Sequence, residues 1–166
     1  MNKKGMMEMP FGMIFSIFLI VVFVVVAFIA ISHFLDLKRC TEVSSFYADL
    51  EKDVNTVWKS STSNQEFSRY LPGGIDYVCF IDFENSEYSL VDGINIYDEY
   101  GRYAESEGSI FLYPDNKACN MPYFNLKHIN ISQTTSRLNP YCIEVEEGRV
   151  TFKLEKSFYE SLVTIK

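Results

Sequence analysis

Four cysteines carry the clearest covalent chemistry in this chain of 166 residues: Cys40, Cys79, Cys119 and Cys142. An even number of cysteines, all on one side of an apolar segment, is typical of a domain that forms disulfides in an oxidising compartment. We therefore predict one or two disulfides, and the sequence does not choose among the three pairings that four cysteines allow. The alternative for Cys79 is a buried thiol, because it lies within the apolar run Tyr77–Ile81.

Patterns for metal binding and catalysis are missing from the sequence. No two cysteines are spaced as CxxC, and the only histidines are His33 and His128, which argues against a zinc site. There is no HExxH, no GxSxG and no glycine-rich phosphate loop. The acidic pairs Asp98-Glu99 and Glu146-Glu147 lack the alternating oxygen ligands of a calcium loop. We predict no catalytic residue, no metal and no cofactor, and therefore no enzyme.

One further pattern concerns modification. Asn130-Ile131-Ser132 matches the N-glycosylation sequon, a short pattern of low specificity.

An apolar segment, Met9 to Leu35, determines on which side of a membrane the cysteines would lie. It contains no Asp, Glu, Lys or Arg. A helix needs about 20 apolar residues to cross about 30 Å of hydrocarbon, and this segment is longer than that. The alternative is a cleaved secretory signal, whose apolar region is normally about 7–15 residues. We predict an uncleaved single-pass anchor, with the lipid bilayer as its partner.

The charges flanking the segment bear on its orientation. Lys3 and Lys4 precede it, whereas Lys38 and Arg39 follow it together with Asp36. The positive-inside rule therefore leans only weakly toward a cytoplasmic N-terminus. Because all four cysteines follow the segment, we predict that the C-terminal domain is extracytoplasmic.

The part of the chain after the segment is acidic. The whole chain has 15 basic and 22 acidic residues, and setting aside Lys3, Lys4 and Glu8 leaves 13 and 21 from Asp36 onward. A net negative surface repels phosphate backbones, so we predict no nucleic-acid partner.

After Leu35 the apolar residues continue at helical spacing, with polar residues between them. The repeating positions are Val43, Phe46, Tyr47, Leu50, Val54, Val57 and Trp58. This pattern predicts an amphipathic helix, and no Gly or Pro separates it from the apolar segment. We predict one nearly continuous helix from about Phe11 to Lys59, with Phe46 and Trp58 as its contacts to a head domain. The alternative is a break near Ser32-His33 or Asp36.

The rest of the chain carries strand and turn signals after a polar linker at residues 59–64. Predicted strands are Ile75–Phe83, Ser109–Tyr113, the weaker Tyr123–Ile131, the pair Tyr141–Glu146 and Arg149–Glu155, and Leu162–Ile165. Ile96–Ser106 reads as a short helix or turn. The pair flanking Glu147-Gly148 is predicted to be a hairpin. The expected fold class is α+β: a long N-terminal helix, from the membrane segment into its amphipathic half, packed on an antiparallel β-sheet head.

The N-terminus Met1-Asn2-Lys3-Lys4-Gly5, followed by Met6-Met7-Glu8-Met9 and a long apolar helix, resembles a type IV pilin or archaellin precursor. The resemblance implies a basic leader, a class III signal peptide, that a prepilin peptidase removes on the cytoplasmic side. Gly5 would be the last leader residue and Met6 the new N-terminus. It also implies a long helix bearing a β-rich head. The matching motif covers about the first 35 residues.

One position departs from the bacterial members of that family. They carry a Glu five residues after the cut, where it pairs with a neighbour's N-terminal amine during assembly. Here Pro10 occupies that position, and the nearest acid is Glu8, the third residue. Glu8 is therefore the candidate assembly residue.

The predicted organisation has four parts: a leader at 1–5, the transmembrane half of the helix at 6–35, its amphipathic half at 36–59, and a β-rich head at 60–166. The predicted function is that of a membrane-anchored, pilin-like structural subunit on the cell surface, which assembles with like or related subunits. The alternative is a membrane-tethered binding module that does not assemble.

Overall fold

The structure, a computed structural model, describes residues 8–166, with side chains from Gly12 onward. The chain divides into two compact units, an N-terminal one that ends at Lys38 and a second one, Arg39–Lys166. The second unit contains the last part of the long helix together with all the strands, and we call it the head.

Helix α1 runs from Glu8 to Lys59, a length of 52 residues. Gly12 is its only glycine, and no proline follows Pro10, so nothing within it breaks the hydrogen-bonding ladder. The predicted single helix is confirmed, and the alternative break near Ser32-His33 or Asp36 is wrong.

The head contains seven strands in two antiparallel sheets. The strands are β1 (Ser63–Tyr70), β2 (Tyr77–Phe80), β3 (Ile110–Tyr113), β4 (Tyr123–Phe124), β5 (Tyr141–Glu144), β6 (Arg149–Lys156) and β7 (Thr164–Ile165). One sheet has the order β1-β6-β7 and the other β4-β3-β2-β5. Two short helices, α2 (Ile96–Tyr100) and α3 (Ile131–Thr134), lie in the connections. The predicted α+β class is confirmed, with two sheets in place of one.

The main core lies between α1 and the inner faces of both sheets. From α1 it takes the buried stripe Val43, Phe46, Tyr47, Leu50, Val54 and Val57. From the sheets it takes residues such as Phe67, Val78, Leu112 and Leu154. In β6 the alternation is regular: Val150, Phe152 and Leu154 are buried, and the residues between them face outward. Helical spacing on α1 and period-two spacing on the strands thus bury their apolar residues against each other.

A second, smaller core covers the other face of the four-stranded sheet. Its buried members are Cys79, Ile81, Ile96, Tyr100 and Phe111. The Tyr100 hydroxyl donates to the Leu112 carbonyl at 2.6 Å, so α2 is fixed to β3 by a buried hydrogen bond as well as by apolar contact.

The predicted hairpin is wrong in its strand pairing. Glu147 and Gly148 form a tight turn with φ of 51° and 75°, closed by hydrogen bonds between Glu146 and Arg149. Beyond the turn the strands separate, because β5 pairs with β2 and β6 pairs with β1 along its whole length.

Two further predictions along the head are corrected. The polar linker at residues 59–64 is shorter than predicted, because β1 begins at Ser63. Sequence pattern missed this strand since Phe67 is its only buried apolar residue, and pairing with β6 holds it in place. The predicted strand Tyr123–Ile131 keeps only its first two residues, because His128 adopts φ of 67° and Asn130 caps α3.

Candidate functional site: the apolar helix and its junction with the head

The side chains in the apolar part of α1 are not buried. Every side chain from residue 12 to residue 38 is exposed. Phe15, Phe23 and Phe28 are 54%, 70% and 68% exposed, fractions that a soluble helix does not leave in water over so many turns. By length and composition, α1 is the one helix in the described part of the chain that could cross a membrane.

The two serines of this segment satisfy their hydroxyls within the helix. The Ser16 hydroxyl donates to the Gly12 carbonyl and the Ser32 hydroxyl to the Phe28 carbonyl, each at 2.9 Å. Back-bonding of this kind removes the cost of placing a free hydroxyl in hydrocarbon. Neither serine therefore opposes placing the segment in an apolar environment.

At Cys40, α1 becomes covalently joined to the rest of the head. Cys40 forms a disulfide with Cys119, 79 residues away, in the turn that follows β3. One turn of helix further on begins the buried stripe, and the Tyr47 hydroxyl donates to the Met121 carbonyl at 2.9 Å. The Tyr47 ring stacks on Phe124, with centroids 4.8 Å apart, and burial raises the pKa of its hydroxyl.

The second disulfide joins Cys79 of β2 to Cys142 of β5, which face each other in the strand register. The four cysteines thus form two disulfides, and the alternative of a free buried thiol at Cys79 is wrong. The bond lies on the outer face of the four-stranded sheet, within the smaller core.

Polar contacts bind the C-terminal end of α1 to the strands and loops of the head. The indole N–H of Trp58 donates to the Ser161 carbonyl at 3.0 Å, and its ring stacks on His128 with centroids 3.7 Å apart. The Lys156 ammonium donates to the carbonyls of Trp58 and Ser60, which lie at the negative end of the helix dipole. Phe46 and Trp58 both contact the head, Phe46 fully buried and Trp58 half-buried.

On the helix side, Arg69 of β1 forms ion pairs with Asp49 and Asp53 of α1, at 3.0 and 3.4 Å. Arg69 is partly exposed, so the ion pairs contribute modestly and serve mainly to align β1 with the helix. Next to these ion pairs, the rings of Phe67 and Phe46 pack edge to face.

A buried polar network fixes the long loop after β2. The Asn139 side chain is 4% exposed and donates to the carbonyls of Asp82 and Asn85, while its own oxygen accepts from the Asp82 amide. Asp82 in turn accepts from the Ser132 hydroxyl at 2.9 Å. In the sequence, Ser132 stands out only as part of a sequon and Asn139 does not stand out at all, because no local pattern marks a residue that binds a loop more than 50 positions away.

The acidic residues considered for calcium lie in ordinary capping and turn positions. Asp98 exchanges hydrogen bonds with Asn95 at the start of α2, and Glu146 and Glu147 belong to the turn before β6. Within the described residues, no three His, Cys, Asp or Glu side chains are grouped as metal ligands would be.

Acidic side chains also surround Tyr77, a half-buried tyrosine on β2. The Tyr77 hydroxyl donates to the Asp92 carboxylate. This hydrogen bond, with the negative charges of Asp92, Glu144 and Asp76, raises the pKa of Tyr77 to about 12.

The residues predicted for processing and assembly are Gly5, Met6 and Glu8. Gly5 and Met6 lie outside the described residues. Glu8 is the first residue of α1, but its side chain lies outside the described part.

No family model, no curated protein and no solved structure matches this chain.

Proposed function

We propose that this protein is a single-pass membrane-anchored surface protein, a pilin-like structural subunit with an acidic extracytoplasmic head. The observation that carries the proposal is the change of environment along one helix. From residue 12 to residue 38 the side chains of α1 are exposed on all sides, and from Val43 onward one stripe of the same helix is buried in the head core.

The energetics of the apolar part favour lipid or a bundle of like helices over water. Its Leu, Ile, Val and Phe side chains each favour membrane insertion by roughly 0.3–0.6 kcal/mol, so together they contribute on the order of 5–10 kcal/mol. An all-apolar helix leaves a bilayer only for another apolar environment, such as the core of a filament.

Two disulfides support an extracytoplasmic head. Disulfides persist in oxidising compartments, and here one joins α1 to the turn after β3 and the other joins β2 to β5. Lys3 and Lys4 before the apolar segment support a cytoplasmic N-terminus, as the positive-inside rule favours.

The pilin-like part of the proposal rests on the resemblance of the N-terminus. Removal of the leader after Gly5 by a prepilin peptidase would free the amine of Met6. Glu8 would then be the acidic partner at the membrane edge, where a lone charge requires a partner of opposite sign.

The test is mass spectrometry of the N-terminal peptide from native membranes. We expect a chain that begins at Met6, and we expect Gly5→Leu to retain Met1 while the control Asn2→Ser is processed normally. An intact Met1 in the wild-type protein would exclude pilin-like processing.

A second candidate function is a membrane-tethered binding module that does not assemble. Pro10 favours this alternative, because bacterial type IV pilins carry the assembly Glu at the corresponding position. Cross-linking in native membranes separates the two. We expect a ladder of cross-linked subunits if the protein assembles and monomers only if it is a tether.

Membrane anchoring is tested separately from processing. Val21→Lys, Val22→Lys, Val25→Lys and Val26→Lys together place four charges in the middle of the apolar segment at a cost of about 12 kcal/mol on the insertion scale, more than its apolar side chains contribute. We expect this fourfold variant to leave the alkali-resistant membrane fraction, whereas the control with Leu at the same four positions stays. Retention of the fourfold variant in that fraction would argue against a transmembrane segment.

A further inference from the structure

The sequon Asn130-Ile131-Ser132 lies at the start of α3, and its asparagine caps that helix. No other asparagine in the sequence is followed two residues later by Ser or Thr. The Asn130 side-chain oxygen accepts from the backbone N–H of Gln133 at 3.0 Å, and the backbone N–H of Asn130 donates to the Val163 carbonyl at 2.7 Å. Asn130 is therefore held in one orientation, half-buried at the surface of the head.

The side-chain nitrogen of Asn130, Nδ2, donates one of its two hydrogens to Gln133 Oε1 at 3.1 Å, in a hydrogen bond exposed to solvent. For the second hydrogen, residues 8–166 provide no acceptor. An N-linked sugar replaces one Nδ2 hydrogen and leaves the side-chain oxygen and the other hydrogen in place. A glycan at Asn130 is therefore compatible with both the helix cap and the bond to Gln133.

Two exposed aromatic side chains lie in the loop between β6 and β7. Phe158 is 69% exposed and Tyr159 is 96% exposed, and their rings pack on each other with centroids 5.4 Å apart. We call these two residues the aromatic pair. The loop that carries them is a closed turn, because the Glu160 carboxylate accepts from the backbone N–H of Ser157 at 2.8 Å. Two aromatic rings held outward by an ordered turn indicate a contact surface.

Gln133 connects the sequon to this turn. Its side-chain nitrogen donates to the Glu160 carboxylate at 2.9 Å, while its side-chain oxygen accepts from Asn130. A sugar on Asn130 therefore begins one side chain away from the residue that follows Tyr159. Sugar rings carry C–H groups with a partial positive charge, and such groups pack on the negative faces of aromatic rings.

We infer that Asn130 carries an N-linked glycan and that its sugars pack on the aromatic pair. The inference rests on the extracytoplasmic head of the proposed function, and the donor is an oligosaccharide linked to a lipid through phosphate. In the transfer, Nδ2 forms a bond to the anomeric carbon of the first sugar, and the bond from that carbon to the phosphate oxygen breaks. The proton lost from Nδ2 passes to a base of the transferase, and the lipid phosphate leaves.

The folded structure indicates when the sugar is added. In the head, the Ser132 hydroxyl donates to the Asp82 carboxylate at 2.9 Å, and the Asn130 side chain is engaged in the cap of α3. A transferase that recognises the sequon requires both side chains. The transfer therefore precedes the folding of α3, on the chain as it emerges from the membrane.

The first test is mass spectrometry of peptides from the full chain isolated from its own membranes. We expect the peptide that contains Asn130 to carry the added mass of sugar residues. Ser132→Thr keeps the sequon and should stay modified, whereas Ser132→Ala and Asn130→Asp should not be modified. Asp caps a helix as well as Asn does, so Asn130→Asp removes the acceptor nitrogen without removing the cap. A wild-type peptide of unmodified mass would overturn the inference.

The contact with the aromatic pair is tested by a double-mutant cycle in denaturant unfolding. In the glycosylated chain, we expect Phe158→Ser with Tyr159→Ser to raise the unfolding equilibrium constant about three- to tenfold, because the contact with the sugars is lost. In the Asn130→Asp chain, the same two substitutions should change it less than about twofold, because the rings already face water. Equal changes in the two chains would exclude packing of the glycan on these rings.

A labelling experiment on intact cells separates this inference from the proposed function. A membrane-impermeant amine reagent should reach the exposed Lys127 and Lys153. If these lysines are labelled and Asn130 carries no sugar, the glycan inference fails while the proposed location of the head stands. If they are labelled only after the membrane is permeabilised, the proposed function fails and this inference fails with it.

Discussion

At the residue scale, single polar side chains hold loops that have little apolar content of their own. Asn139 does so for the loop after β2, where it bonds to backbone groups of Asp82 and Asn85 while almost completely buried. A buried amide that satisfies several backbone groups is costly to remove, because each group loses its partner without gaining water.

We predict that Asn139→Ala lowers the free energy of unfolding by about 2–4 kcal/mol, since it leaves at least two buried backbone groups unsatisfied. Denaturant unfolding of the full chain in detergent measures the change. The control is Asn116→Ala, at an exposed asparagine, which should change stability by less than about 0.5 kcal/mol. Equal effects of the two variants would show that the network contributes little.

Tyr77 provides a prediction on pH. The neutral hydroxyl is the form that donates to Asp92, so folding raises its pKa to about 12. The stabilisation of the folded state by this hydrogen bond is fully present below the unfolded-state pKa of about 10. It is lost as the pH rises through the folded-state pKa of Tyr77. We expect Asp92→Asn to lower the pKa only in part, because Glu144 and Asp76 remain.

The measurement is the ultraviolet phenolate titration of each protein minus that of the same protein carrying Tyr77→Phe. Glu66→Gln removes a carboxylate from another part of the head and should leave the Tyr77 titration unchanged. If Asp92→Asn leaves it unchanged too, the hydrogen bond is not the main cause of the raised pKa.

At the element scale, sequence periodicity predicted α1 well because its pattern is long and unbroken. The stripe from Val43 to Val57 is buried as expected, and the helix ends at Lys59. Strand signals were less informative. Ile75–Phe83 and Ser109–Tyr113 correspond to the shorter β2 and β3, whereas β1, with one buried apolar residue, left no local signal.

The partners of the strands could not be predicted from the sequence. The turn at Glu147-Gly148 is a strong hairpin signal, but β5 and β6 join different sheets because long-range partners compete for each of them. Likewise, the pairings of the cysteines depend on β2 lying beside β5 and on α1 lying beside the turn after β3. Such contacts come from the whole fold, and spacing along the chain does not encode them.

The packing of α1 on the head leads to a third prediction. Leu50 is fully buried in the stripe, so Leu50→Ala should destabilise the head by about 2–5 kcal/mol through lost apolar contact and a residual cavity. Lys52→Ala, on the exposed side of the same helix, serves as the control, because both substitutions introduce the best helix former. Denaturant unfolding should separate them clearly, and similar values would contradict the burial of this face.

At the scale of the whole molecule, the two disulfides close loops across the head, with sequence separations of 79 and 63 residues. In the chain-entropy model, each cross-link of this length stabilises the folded state by up to about 4 kcal/mol. A small head on one long helix has a limited core, so this contribution is a large share of a typical stability of about 5–15 kcal/mol.

We predict that the native protein has no thiol that reacts with an alkylating agent until it is reduced, after which four react. Mass spectrometry of the intact chain before and after reduction gives the count. Paired replacement of Cys40 and Cys119 by Ser, or of Cys79 and Cys142 by Ala, should each lower the denaturation midpoint. Labelling of any cysteine without reductant would contradict one of the bonds.

The position of the Cys40–Cys119 bond has a mechanical consequence. A pull applied to the apolar part of α1 reaches Cys40 before it reaches the buried stripe at Val43. The covalent link carries that load into the turn after β3, so the helix cannot be peeled from the head one turn at a time starting at Arg39. Reduction of this one bond would change how the head yields under force, from a concerted rupture to a stepwise unzipping.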